Sequence, residues 1–202
     1  MTKALMEKTA QAIAREFIDS DTTIAITRYG NVMYSRGSVI PLFISQIRSG
    51  AKISITEPTM TRFLMTLDQS VSLVEYAFEN AKQGDLFVRK APAATIQTLA
   101  EALIDLFGSD SVEINRVGFR HGEKLYESLL STEELVKAED LGGYYRVPLD
   151  ERGLNYSAYF SDGQQRSATT DSYHSHNTEQ LDKAAVIDLL KTVPEIRQEL
   201  GL

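Results

Sequence analysis

The sequence predicts an α/β fold, and three observations carry the prediction. Apolar stripes at helical spacing recur along the 202 residues. Short β-branched runs stand between them, each bounded by Gly, Ser, Asp or Pro. The hydrophobic content of 43% is enough for one good core with room for a second small lobe. Elements alternating in this way bury their apolar faces as layers of helix on sheet.

Residues 1–18 read as a helix, because Met6, Ala10, Ile13 and Phe17 recur at helical spacing with charged and amide residues between them. Asp19-Ser20-Asp21 breaks it, and residues 22–27 are expected as a strand of buried character. From Ser38 a second helix carries Ile40, Phe43, Ile44 and Ile47 on one face, tolerates Pro41 in its first turn, and stops at Ser49-Gly50. Residues 52–56 alternate as a strand. Residues 67–81 form a helix with Val71, Val74, Ala77 and Phe78 as its apolar stripe and Gly84 beyond its end. Residues 86–88 are a short buried strand, 94–107 a helix facing inward through Ile96, Leu99, Leu103 and Leu106, and 112–117 a further alternating strand. Ser131-Thr132-Glu133-Glu134 has the form of a capping box opening a short helix to about Ala138. After Gly142-Gly143 comes an irregular aromatic arm with Tyr144, Tyr145, Tyr156, Tyr159 and Phe160, of the kind that packs across another lobe or subunit. Residues 161–177 are polar and loop-like, and a helix from about Thr178 with Val186, Leu189, Leu190 and Val193 on one side ends the chain.

Composition excludes several function classes. With no cysteine and three histidines lacking ligand spacing, neither a disulfide framework nor a zinc site is expected, and no metal is assigned. No run approaches the roughly 18 apolar residues of a membrane span, and there is no signal-peptide core, so the reading is a cytoplasmic protein without a membrane partner. A formal charge of -7 argues against nucleic acid, which wants a basic face. Any anionic ligand must be held locally.

Two stretches could do so. The first is Thr27-Arg28-Tyr29-Gly30-Asn31-Val32 running on through Ser35-Arg36-Gly37-Ser38-Val39-Ile40-Pro41. Gly30 and Gly37 permit a close backbone approach, and the Arg36 guanidinium could grip a phosphate; the same residues also suit an ordinary solvated turn. The second is Gly118-Phe119-Arg120-His121-Gly122-Glu123-Lys124-Leu125-Tyr126-Glu127, where a strand is expected to give way to a helix. Arg120 could meet a diphosphate and Glu123 a ribose diol, or Glu123 could start the helix with Arg120 as its ion-pair partner. His121 reads as a surface or packing histidine. Arg62, inside the apolar run of residues 60–66, needs an acidic partner, either a structural carboxylate or a ligand phosphate.

Together with Met60-Thr61-Arg62-Phe63 and Lys90-Ala91-Pro92-Ala93-Ala94-Thr95, these stretches resemble, in order, the polysaccharide-biosynthesis branch of the extended short-chain dehydrogenase/reductases. The likeness is nearest to UDP-N-acetylglucosamine 4,6-dehydratases of the inverting, 5-epimerising kind, and it covers residues 1–160. It implies a partial Rossmann-type sheet lacking its N-terminal glycine-rich half, plus a small α/β substrate-binding subdomain. Residues 1–37 would be a remnant of the nucleotide-binding domain, 38–160 mainly the substrate-binding subdomain with 67–90 returning to the nucleotide-binding sheet, and 161–202 the polar loop and C-terminal helix.

The resemblance also implies roles. Lys3 would be the catalytic lysine on the nicotinamide ribose, and Tyr29 and Asn31 would face cofactor and sugar diphosphate. Arg36, Ser38 and Val39 would lie near the nucleotide, Arg62 and Arg120 on the pyrophosphate, and Glu123 on the uridine ribose. The complete enzyme would use NAD or NADP to take hydride from sugar C4, eliminate water across C5 and C6 and return the hydride to C6. The glycine-rich turn, an acidic residue for the adenine ribose and the Asp-Lys pair ahead of Lys3 are not in the sequence. The expectation is therefore a UDP-sugar-binding portion, inactive alone and binding no cofactor by itself, whose partners are a UDP-sugar, the missing half if the enzyme is split, and further copies of the chain. The alternatives are a non-catalytic UDP-sugar-binding module and part of a UDP-sugar 4-epimerase.

Overall fold

The computed structural model describes residues 2–108, 112–149 and 171–202. Its elements run α1 (Thr2–Glu16), β1 (Ile26–Arg28), α2 (Val39–Arg48), β2 (Ile53–Ile55), β3 (Thr61–Phe63), α3 (Leu67–Asn80), β4 (Leu86–Arg89), β5 (Ala93–Thr95), α4 (Ile96–Phe107), β6 (Ile114–Arg116), β7 (Ser128–Leu130), α5 (Thr132–Lys137), β8 (Glu139–Asp140), β9 (Tyr144–Val147), β10 (Tyr173–His174), α6 (Lys183–Leu190) and α7 (Pro194–Leu200). The α/β class holds. The chain divides into two compact units, the first made of Met1–Tyr29, Val71–Lys90 and Leu129–Tyr173, the second of Gly30–Ser70, Ala91–Ser128 and His174–Leu202.

The first unit is built on a four-stranded sheet in the order β1-β4-β9-β8. β1 and β4 are parallel, with Ile26 opposite Leu86 and Arg28 opposite Val88, and β9 runs antiparallel to β4. Under this sheet Leu73, Ala77 and Phe87 are buried together with Tyr76 and Tyr144 packed against them. Asp85, almost fully buried, is neutralised by Arg146 of β9, whose Nε lies 2.7 Å from it. Arg28 donates to both Glu7 and Glu134 and to the carbonyl of Leu129, tying α1, β1 and the start of α5 together. Burial would lower the Arg28 pKa, but the hydrogen bonds and charges of Glu134 and Glu7 outweigh it, so the guanidinium is held more firmly protonated than usual. Ser131 caps α5 through the predicted capping box.

Several expectations are corrected in this unit. The first strand spans only 26–28, and Thr23 and Ala25, expected inside it, are exposed. In α3 the inward residues are Leu73 and Ala77, whereas Val71 and Phe78 face solvent; apolar residues occupy more than one face of this helix, and the sheet takes the Leu73 side. Tyr144 and Tyr145 belong to a regular strand, not an irregular arm. Tyr144 stacks on Tyr76 with centroids 4.1 Å apart, and Tyr145 meets Tyr173 edge-on, both within the same unit. Tyr156, Tyr159 and Phe160 lie outside the described residues.

In the second unit β2 pairs in parallel with β6, and β3 pairs antiparallel with β5. Around them α2, α4, α6 and α7 close one core that contains Phe43, Ile53, Met60, Leu99, Leu103, Leu190 and Ile196. α2 buries Ile40, Phe43, Ile44 and Ile47, as its spacing predicts. α4 starts at Ile96, because residues 93–95 are a strand, and Thr95 caps it by accepting from the N–H of Thr98. The C-terminal helix expected from about Thr178 is two helices, the first capped by Asp182 and beginning at Lys183, the second opened by Pro194.

Candidate functional site

The second unit contains a cavity of about 350 Å³, and residues from four separate stretches of sequence line it. Asn31, Ser38 and Val39 come from the loop before α2 and from its first turn, Arg62 from β3, and Arg120 and Glu123 from the loop after β6. The six share one wall system although 92 positions separate the first from the last. Ile40, Phe43, Met60, Leu64 and Leu99 of the core form its apolar floor.

Local structure explains how each side chain arrives there. Residues 31–33 run beside Met65, with the N–H of Met33 donating to the Met65 carbonyl at 2.8 Å and the N–H of Met65 to the Asn31 carbonyl at 3.3 Å. Gly30 allows this course: a Cβ there would stand 2.6 Å from the Cβ of Phe63, so any larger residue would push the chain off β3. The chain then turns at residues 35–38, where Gly37 has φ of 74° and the N–H of Ser38 donates to the Ser35 carbonyl. Ser38 is the N-cap of α2, yet its hydroxyl makes no cap bond and is buried with no hydrogen-bond partner among the described residues. The first-turn N–H groups of Val39 and Ile40 have no helical carbonyl to reach, and Pro41 has no N–H at all. Two amides, one unsatisfied hydroxyl and the positive end of the helix dipole therefore meet at the cavity, which suits an anion.

On the opposite side the expected helix after β6 does not form. Residues 120–123 make a turn closed by Glu123 N–H to the Arg120 carbonyl at 3.2 Å and Arg120 N–H to Glu123 Oε2 at 3.2 Å. Glu123 is thus a turn carboxylate, and the Arg120 side chain is exposed beside it. Arg62 is occupied in another way: its guanidinium donates to the Thr61 carbonyl at 2.8 Å and the Lys124 carbonyl at 3.0 Å, with Glu127 3.9 Å from Nε. It stitches the segment after Glu123 to β3. His121 is exposed, and the other two histidines lie against Tyr126: the His174 ring is tilted over it at 4.4 Å, and His176 lies 5.1 Å from the same ring. Burial, followed by the charges of His174 and Arg62, lowers the pKa of His176 below its ordinary 6.5.

The structure does not bring every sequence candidate to the cavity. Arg36 is exposed at the turn and is absent from the lining, and Lys3 and Tyr29 belong to the first unit, where both are exposed. A nicotinamide dinucleotide would need a glycine-rich turn opening a helix against its pyrophosphate. No such turn accompanies Lys3 and Tyr29 among the described residues, so these two do not by themselves build a site for it. Sequence reasoning missed Ser35, Ser54 and Thr56, which also line the cavity. For the last two a signal exists: in the alternating strand around β2 the polar residues Ser54 and Thr56 share the face opposite Ile53 and Ile55.

Comparison with known proteins gives a consistent result. Residues 1–149 match the family model described as polysaccharide biosynthesis protein, and residues 150–197 match polysaccharide biosynthesis protein C-terminal. A UDP-glucose 4-epimerase of Rickettsia canadensis is 56% identical over 200 residues, which are 99% of this chain and 58% of that protein. The chain thus spans less than two thirds of the length of the curated relatives it matches. Among solved structures, Pen from Bacillus thuringiensis superimposes with a TM-score of 0.77 at 32% identity, covering 92% of this chain and 54% of that one. The UDP-glucose 4-epimerase of Thermotoga maritima, solved with UDP-glucose, shares the fold at a TM-score of 0.51 and 21% identity, over 59% of this chain and 40% of its own.

Proposed function

The chain belongs to the polysaccharide biosynthesis protein family, and from that premise we propose that its second unit is the UDP-sugar-binding portion of a nucleotide-sugar 4-epimerase. One observation carries the proposal: six of the seven residues singled out in the sequence for the nucleotide-sugar, all but Arg36 and drawn from distant motifs, surround one cavity with an amide-rich helix start on one side and Arg120 on the other. In this reading the diphosphate takes the α2 amides, the Ser38 hydroxyl and the Arg120 guanidinium, and Glu123 accepts from the ribose hydroxyls. Arg62 acts mainly by holding the Arg120 loop.

The 56% identity to proteins named UDP-glucose 4-epimerase favours epimerisation over C6 dehydration. The nicotinamide cofactor would supply the hydride chemistry in the complete protein. Lys3 and Tyr29 are the residues of this chain proposed for its nicotinamide end, and the remaining two fifths of the relatives' length would supply the rest of its site.

The test is calorimetric titration with UDP, UDP-glucose and UDP-N-acetylglucosamine. Saturable binding is expected, and Arg120→Ala should weaken it roughly ten- to hundredfold, the worth of one charge-assisted hydrogen bond at about 1.5–3 kcal/mol. Arg36→Ala should change little. Equal affinity for the Arg120 variant and the parent would remove the reading. Once the complementary part of a Rickettsia relative is supplied, an epimerase product keeps the mass of its substrate, and a dehydratase product is lighter by one water.

A further inference from the structure

The segment 174–177 lies outside every motif used above, yet it contains Ser175, a polar residue with 0% exposure whose hydrogen bonds reach two distant stretches of the chain. Its N–H donates to the Glu127 carbonyl at 2.8 Å, and its Oγ accepts the Glu127 N–H at 3.0 Å. The same Oγ lies 3.1 Å from the Thr61 carbonyl and 2.7 Å from Thr61 Oγ1, which in turn meets Nδ1 of His176. A hydroxyl has one proton and two lone pairs. One assignment turns every one of these contacts into a bond: His176 Nδ1–H donates to Thr61 Oγ1, Thr61 donates to Ser175 Oγ, and Ser175 donates to the Thr61 carbonyl. Ser175 is then the hub where β3, the chain around Glu127 and the C-terminal segment are fastened together.

What the hub fastens is the side of the cavity that carries Arg120 and Glu123. The Thr61 N–H takes the Leu125 carbonyl at 3.0 Å, Arg62 takes that of Lys124, and Ser175 takes both groups of Glu127. The backbone immediately after Glu123 is therefore held against β3, while Arg120 and Glu123 themselves sit in a short exposed turn closed by their own local bonds. Where those two side chains stand is decided by what grips residues 124–127. We infer that Ser175 is a positioning residue for the ligand of the cavity, acting through Arg120 and Glu123, with Thr61 and the δ-protonated tautomer of His176 as its supports. The inference rests on the nucleotide-diphosphate reading for its effect on binding, but its effect on the loop does not.

Two measurements on the full chain test it. Amide hydrogen exchange without ligand should show residues 118–127 of Ser175→Ala exchanging at least tenfold faster than in the parent, with α2 and α4 unchanged. Thr61→Val, nearly isosteric but without the hydroxyl, should do the same, and Thr61→Ser should restore parental rates; this pair decides the matter if Ser175→Ala fails to fold. In UDP titrations Ser175→Ala should weaken binding about tenfold in the parent, the loss expected of a displaced charge-assisted contact, and much less in an Arg120→Ala background. Unchanged loop exchange in Ser175→Ala and Thr61→Val, or equal losses of affinity in both backgrounds, would overturn the inference. If the parent does not bind UDP, the proposed function falls while the exchange result still decides whether Ser175 sets the loop.

Discussion

The two units treat the same kind of helix in opposite ways. In the second unit α2 presents Ile40, Phe43, Ile44 and Ile47 to α4, β2 and the C-terminal helices, and all four are buried. In the first unit α1 has a comparable stripe, but Ala14 is its buried residue while Leu5, Met6, Ile13 and Phe17 are exposed. α3 likewise turns Phe78 to solvent at 85% exposure, beside a groove of about 420 Å³ lined by Ile24, Ala25, Thr27, Val74 and Ala77. Apolar periodicity specifies that a face will be covered and says nothing about what covers it. Among the described residues, one unit carries its own cover, and in the other nothing covers two helix faces or pairs with the outer edge of β1.

The strongest way to break this comparison is to truncate one phenylalanine in each unit. Phe43→Ala, from 1% exposure in the closed core, should lower stability by about 3–5 kcal/mol, while Phe78→Ala should stay within about 0.5 kcal/mol. Urea unfolding followed by segment-resolved hydrogen exchange reads both. Similar losses for the two would mean that Phe78 is covered in solution.

Association gives the next effect. Open apolar faces beside an unpaired strand edge favour pairing of chains, so the parent should show concentration-dependent mass by light scattering. Phe78→Glu should shift it towards the monomer without lowering the melting temperature. A parent that stays monomeric at high concentration would argue that these faces are harmless.

A third variant sharpens the account of the first unit itself. Ser131→Ala removes the hydroxyl that accepts the Glu134 N–H at the start of α5, leaving the Glu134 carboxylate only the Ser131 backbone N–H of the box, and should cost about 1 kcal/mol by denaturant unfolding. Because Glu134 also grips Arg28, faster exchange should spread to β1, and a loss confined to α5 would separate the two.

The smallest effect is a pH dependence. Burial pushes the Glu134 carboxyl up, but the hydrogen bond to Arg28, the backbone bond from Ser131 and nearby positive charge bring it below its ordinary 4.5. A depressed carboxylate contributes stability that is present above pH 4.5 and is lost as the pH falls through the lower, folded-state value. The acid limb of unfolding should therefore flatten in Glu134→Gln, measured as midpoint against pH between about 5 and 3. An identical limb in the variant would show that other carboxylates govern it.

How much was legible follows the range of the interaction. Local chemistry was readable: the Ser131–Glu134 box caps α5, α2 starts and stops where Ser38 and Ser49 place it, and the apolar face of α4 is the one its spacing gives. Long-range pairing was not. Tyr144-Tyr145-Arg146-Val147 has no clean alternation, and only its register against β4, with Arg146 reaching Asp85, shows it to be a strand. The opening of α7 is legible as well, since Pro194 at its first position is a recognised start signal. Of the candidate site, the residues in the glycine-punctuated loops were found because their type announces anion chemistry. Ser175 was not, because a serine in a polar stretch becomes a hub only once Thr61 and Glu127 are brought to it.

β9 and β8 have a consequence for how copies of this chain could assemble. The sheet ends on one side in a strand of two residues, Glu139 and Asp140, both exposed and both acidic. A two-residue acidic margin offers few backbone groups and repels its own likeness, so it is a poor seam. Among the described residues of this sheet, that leaves the β1 margin as the one able to take a further strand. Two copies joined there would, by twofold symmetry, run antiparallel and leave an acidic margin at each end, an arrangement that closes on itself where a fibre would need a second point of attachment.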